Sequence, residues 1–216
     1  GIHWRKRLET EEWMRKVYAV MNETSVSLLG RARVDPETES WERLASIYTP
    51  LLRMWMTKYE LQDSDADDLV QEVLLIVSRE LPSFEHSGRT GAFRRWLRII
   101  LVHRVKAFWK SRKRVPNAKG GSSVLDELRE LEDETSNASR LWDAQHDEHV
   151  LTRLLEQIRP RFEETTWEAF CRQMYRREKG RDVAEALGIS LKAVQLAKSR
   201  VLNALRVEAA GLVDGV

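Results

Sequence analysis

The sequence predicts an all-α protein of two small helical domains joined by a flexible acidic linker. Three observations lead there. The 216 residues hold only 10 Gly and 5 Pro, too few turn formers for a β-rich chain, while Leu, Glu, Arg and Ala are abundant. Apolar residues recur at spacings of three and four along most of the chain. The charges, balanced to a formal +2, are segregated into blocks that alternate in sign.

The elements follow in order. Residues 1–37 form an N-terminal extension; Met21 opens MNETSVSLL, which reads as a native start and leaves residues 1–20 as an upstream extension or a non-native addition. The first domain spans 38–117. Asp35-Pro36 turns the chain into a helix from Thr38 to Tyr59, with Trp41, Leu44, Ile47, Tyr48, Leu51, Leu52 and Trp55 on one face. A second helix opens at DSDADDL, where Ser64 and Asp67 have the spacing of a capping box, and Pro82 closes it. FEHSGRTGAF is a loop, and a long helix runs from Ala92 to Arg114. Pro116 and the GGSS at 120–123 mark a flexible start to the acidic linker, 118–147. The second domain, 148–213, holds helices over 148–158 and 163–176 and a final pair within 181–208. Cys171 shares a face with Trp167, Phe170 and Met174 and reads as a small buried hydrophobe.

The charge blocks point to partners. Residues 59–78 carry six acids and no base; 86–119 carry eleven Lys or Arg and no acid; 122–149 hold nine acids against two bases; 172–206 hold nine bases against three acids. Two basic blocks around an acidic spacer suggest two contacts with a polyanion, because Lys and Arg neutralising phosphates supply most non-specific nucleic-acid affinity.

On the long basic helix, Phe93, Trp96, Leu97, Ile100, Leu101 and Phe108 form the core side. Arg94, Arg95, Arg98, His103, Lys106, Trp109 and Lys110 are the candidate contacts, and cations interleaved with an exposed aromatic suit stacking on unpaired bases of melted DNA. Packing of Trp109 against a neighbouring helix is the alternative. Arg104 falls on the apolar side without an evident reason.

Near the C-terminus, GRDVAEALGISLKAVQLAKSRVLNAL fits a helix-turn-helix. Ala184 sits at the helix approach, Gly188 in the turn, Ser190 at the N-cap, and Val194, Ala197, Val201 and Leu205 face inward. The outward face offers Lys192, Gln195 and Ser199 as base readers, with Lys198 and Arg200 on phosphates.

Other chemistry is disfavoured. Asp65 and Asp68 lie one turn apart but no His or Cys joins them, so the acidic helix reads as a docking surface for a basic partner. His146 and His149 read as an exposed coincidence. The single Cys allows no intrachain disulfide or cysteine-cluster metal site, and no nucleophile–base pair or phosphate-cradling loop is present. The expectation is a protein that is not an enzyme, with no catalytic residue, metal or cofactor. No apolar run exceeds five residues, against the roughly 20 that span a bilayer, and the charged N-terminus lacks a secretory signal, so a cytoplasmic protein without membrane insertion is expected.

The elements DADDLVQEVLLIV at 65–77, GAFRRWLRIILVHRVKAFWKSRKR at 91–114 and AVQLAKSRVLNALR at 193–206 together resemble bacterial RNA polymerase sigma factors of the extracytoplasmic-function (ECF) type. TWEAFCRQM at 166–174 with VAEALGIS and AKSR is similar to a planctomycete-style branch. The resemblance implies that 38–117 is region 2 and 148–213 is region 4. It implies that Asp65, Asp68, Gln71 and Glu72 dock on the β′ subunit, that the basic helix and the loop 85–91 melt and hold the −10 element, and that the C-terminal helix-turn-helix reads the −35 duplex while touching the β subunit. The acidic linker is then the segment threaded towards the RNA exit path. Partners implied are core RNA polymerase, promoter DNA in duplex and single-stranded form, and an anti-sigma factor. Two departures, His103 where the family often carries Asn and Ala107 where it often carries Asp, leave the preferred −10 bases open. A stand-alone helix-turn-helix repressor or activator is the alternative function; it needs a sensing domain that the sequence does not offer.

Overall fold

The computed structural model describes residues 27–34, 39–85, 91–112 and 122–213. Among these residues the regular elements are helices α1 (Leu28–Val34), α2 (Glu39–Met56), α3 (Asp63–Glu80), α4 (Ala92–Arg112), α5 (Ser122–Glu132), α6 (Asn137–Ile158), α7 (Glu164–Met174), α8 (Gly180–Leu187) and α9 (Leu191–Ala209), with 3-10 turns at 57–59, 81–83 and 159–161 and no strand. The all-α expectation holds. The proposed start at Met21 lies outside the described residues.

Helix α2 runs through Pro50, which lacks an N–H and costs a helix interior about 3 kcal/mol. Ile47, Leu51 and Leu52 beside it are fully buried, each worth roughly 1.5–3 kcal/mol, so tertiary packing outweighs the local penalty. The N-cap of helix α3 lies two residues before the expected one. Gln62 is its extended N-cap and makes no side-chain bond, so the Ser64–Asp67 capping box does not form. Arg53 of α2 takes that place, reaching Asp67 at 2.6 Å and Asp63 at 3.6 Å.

The linker is the larger correction. Residues expected to be flexible form α5 and the first half of α6, and the boundary expected between 147 and 148 falls inside α6. Val124, Leu128 and Leu131 give α5 a buried stripe at spacings of four and three, and α5 packs on α4. Ser136 caps α6 by accepting from the Ser139 amide. Helix α6 then packs against α2 and, further on, α9. Its aromatic anchor is Trp142, fully buried, edge-on to Trp55 at 5.0 Å and donating from Nε1 to the Arg94 carbonyl at 3.3 Å.

One apolar cluster therefore runs without a break from Leu28 to Val213, and a small separate one, Ala169, Val183, Val194 and Ala197, holds the helix-turn-helix together. Helix α1, counted in the extension, buries Leu28, Leu29 and Ala32 against α2 and α9. At seven residues it is too short to show a periodicity. Cys171 is buried as expected, and burial pushes its thiol up to about 12.

Glu208 of α9 ties these parts together. It is 2% exposed and accepts from Arg31 at 2.6 Å and Arg161 at 2.6 Å, with Arg43 at 3.5 Å. Burial alone would raise its carboxyl, but the Arg161 and Arg31 hydrogen bonds and the nearby guanidinium charges hold it below the ordinary glutamate value. A carboxylate depressed in the folded state stabilises fully above its unfolded value and loses that contribution as pH falls through the folded one. Glu208→Gln should cost about 2–4 kcal/mol near neutrality, since it leaves guanidinium groups without their buried counter-charge. The difference from wild type in denaturant melts should shrink as pH falls through the carboxylate range; a difference that stays constant with pH would count against the ion-pair account.

Candidate nucleic-acid interface

The C-terminal pair folds as the sequence predicts. Gly188 adopts φ 64°, the left-handed conformation that closes a helix, and its amide bonds back to Ala184 and Glu185. Ser190 caps α9 by accepting from the Ala193 amide. Val194, Ala197, Val201 and Leu205 are buried, and Gln173 of α7 donates to the Val194 carbonyl at 2.9 Å, fixing the pitch of α9. This leaves Lys192, Gln195, Ser199, Arg200 and Asn203 exposed, with Lys198 half-buried. Leu191 and Leu196 are exposed among them. A row of polar and apolar side chains on the N-terminal half of a helix is what base edges in a major groove require.

On α3 the acidic face is exposed at Asp63, Asp67, Asp68, Gln71 and Glu72, with Leu75 standing among them. Asp65 is half-buried and pairs with Arg112 of α4 at 2.7 Å, and Glu72 lies 3.7 Å from Arg104. The second pair supplies the reason for Arg104: it reaches across to α3. Of the four expected docking residues, Asp68 and Gln71 lie open while Asp65 and Glu72 also hold α3 to α4.

The basic face of α4 departs most from expectation. Trp109, expected to be exposed for stacking, is 5% exposed; its Nε1–H donates to the Tyr59 carbonyl at 3.2 Å, and it packs edge-on against Phe108 at 5.5 Å. Val102 on the same side is fully buried. Spacing along α4 alone puts Trp109 opposite the core side, and it carries no sign that α5 packs on this helix.

Arg98 is 3% exposed, with Nη1 3.3 Å from Asp143 and 3.4 Å from the Ser139 carbonyl. Arg94 donates to Asp147 at 2.8 Å and lies 3.4 Å from Asp143. Arg95 pairs with Glu134, Lys106 with Glu132 at 2.5 Å, and His103 lies 3.5 Å from the same Glu132. Lys110 is exposed. Five of the seven nominated groups, Arg94, Arg95, Arg98, His103 and Lys106, thus meet carboxylates of α5, α6 or the turn between them. The loop 86–90 lies outside the described residues.

These contacts form two tiers. In the inner one Arg98 and Asp147 are buried and Arg94 and Asp143 half-buried. Asp147 also receives His146 Nδ1 at 2.8 Å, and the fully buried His146 meets the Tyr48 hydroxyl at 3.0 Å through Nε2. A proton on Nδ1 satisfies both, with Nε2 accepting from the phenol. Burial, together with the Asp147 charge, holds the Tyr48 phenol well above its ordinary value and so keeps it a donor. Burial also raises the Asp143 carboxyl although Arg94 and Arg98 pull it down, and it lowers Arg98. His149, expected to be exposed with His146, is half-buried on the Ile47 carbonyl at 2.7 Å. The outer tier, Glu132 and Glu134, is exposed, and the Lys106 hydrogen bond holds Glu132 below its ordinary value.

The pairing partners Glu132, Glu134, Asp143 and Asp147 escaped sequence reasoning. The signal was the alternation itself, nine acids placed directly after eleven bases. Among the described residues no group of His, Cys, Asp and Glu could hold a metal ion, and no helix is long and apolar enough to cross a membrane.

If Trp109 is core, Trp109→Ala should cost about 3–5 kcal/mol in denaturant unfolding, and Trp109→Phe markedly less. Substitution without a stability cost would return the residue to the surface.

Residues 44–115, covering most of α2 and all of α3 and α4, match the family model for Sigma-70 region 2. No curated protein matches the chain. A region 2 domain implies binding to core RNA polymerase and promoter DNA, and the match supports reading this chain as an RNA polymerase sigma-70 family factor with a role in promoter-directed transcription.

Proposed function

We propose that the chain is an ECF-type sigma factor, similar to the planctomycete-style branch, that brings core RNA polymerase to promoters and acts in the cytoplasm without covalent chemistry of its own. The observation that carries this reading is a pairing: a Sigma-70 region 2 match over 44–115 precedes a Ser190-capped helix-turn-helix whose Lys192, Gln195, Ser199 and Arg200 face outward. In this reading α3 docks on β′ through Asp68 and Gln71, with Asp65 and Glu72 placed beside them. Helix α4 and the loop before it capture the melted −10 strand with Arg95, His103, Lys106 and Lys110. Helix α9 reads the −35 duplex. Residues 122–147, folded as α5 and the first half of α6, take no threading role in this reading, and an anti-sigma factor of the family type is a further partner.

Trp109 is removed from the stacking role, because its ring is packed and its N–H is already bonded. Arg94 and Arg98 reach DNA only if α6 leaves them; in the closed chain they are anchors.

The test is run-off transcription with core polymerase on promoter fragments. A start that depends on added chain supports the reading, whereas duplex binding with no effect on initiation points to a repressor. Lys192→Ala with Gln195→Ala should weaken −35 duplex binding by tenfold or more, since a good base contact is worth about 1–3 kcal/mol, and should leave core association intact. Loss of core association together with duplex binding would count against a separate reading helix.

A further inference from the structure

The outer acidic tier occupies the positions at which phosphates would meet α4. Glu132 stands at the C-terminal end of α5 and Glu134 in the turn after it. Between them they reach Arg95, His103 and Lys106, groups one, two or three turns apart along one helix, as a backbone running along α4 would. We propose that this acidic end of α5 is an internal substitute for phosphate, an autoinhibitory strap that covers Arg95, His103 and Lys106 until single-stranded DNA displaces it. The inference rests on the −10 reading of α4 and concerns the regulation of that face.

The chemistry separates what can exchange from what cannot. Asp143 and Asp147 are held in a network with Arg94, Arg98, His146 and Tyr48 that is largely closed to solvent; an incoming phosphate would have to replace every bond there. Glu132 and Glu134 are exposed, and their pairs with Arg95 and His103 are themselves open to water. Exposed ion pairs in high dielectric contribute little each, so a polyanion can displace them one at a time. What keeps them closed is proximity: the carboxylates stand at the end of, and just after, a helix already docked on α4 by Val124, Leu128 and Leu131, which gives them a high effective concentration. Removing their charge should therefore free the face without unfolding the helix that carries them.

The test uses the full chain and a short fluorescein-labelled single-stranded DNA of mixed sequence, followed by anisotropy. Glu132→Gln with Glu134→Gln should tighten binding about tenfold over wild type and steepen its dependence on salt. Asp126→Asn with Glu130→Gln changes net charge equally on exposed positions of α5 away from the strap, and should tighten binding much less. Equal affinity of strap variant and wild type, no binding by the strap variant, or equal tightening by both variants would overturn the proposal. Hydrogen exchange on the unsubstituted chain gives a second readout that does not depend on a variant folding. Amides across 122–132 should exchange faster when the DNA is added, and DNA binding with α5 still protected would overturn the proposal. Run-off transcription separates this inference from the functional reading. Initiation by all chains with unchanged DNA affinity sinks the strap alone, while tighter binding by the strap variant with no initiation from any chain leaves the strap and sinks the sigma reading.

Discussion

The fold depends on a buried exchange of charge between α4 and α6. Two guanidinium groups, Arg94 and Arg98, and two carboxylates, Asp143 and Asp147, would each be costly to remove from water alone. Together they pair across the two helices, with the Ser139 carbonyl accepting from Arg98 and His146 linking Asp147 to the Tyr48 hydroxyl. Burial lowers Arg98 and raises Asp143, while each partner's charge pulls the other way. Because this set needs α6 seated on α4, it decides that the acidic middle of the chain is structured.

Seating α6 there has consequences in both directions along the chain. Toward the N-terminus it places Trp142 against Trp55 and closes the core of α2, α3 and α4. Toward the C-terminus the same helix continues to Ile158 and packs on α9, so the parts expected as separate domains share one apolar interior. The N-terminal half of α9 stays clear of this interior and is supported by its own small cluster under α7 and α8.

What was legible in the sequence was local. The spans of α2, α3, α4 and α7, the Gly188 turn, the Ser190 cap and the inward residues of α9 follow from spacing and from the stereochemistry of single residues, and they hold. What was not legible was long-range. Trp109 and Val102 lie on the polar side of an isolated α4, and only the position of α5 and the Tyr59 carbonyl makes that side interior. Arg104 looked misplaced because its partner, Glu72, lies on another helix. The Ser64–Asp67 spacing fits a capping box, yet Arg53 on α2 settles the charge of that helix end differently. Composition identified the blocks of charge; it could not say that the second and third would pair with each other in the folded chain.

Helix α9 has two unlike ends. Its first turns present Lys192 and Gln195 to solvent, while near its last turn Glu208 is gripped by arginines from α1, from α2 and from the segment after α6. The sixteen residue steps from Lys192 to Glu208 make a lever about 24 Å long at 1.5 Å per residue. A groove that tilts the free end works against three guanidinium groups at the fulcrum, so the angle at which this rod meets its target is set far from the point of contact.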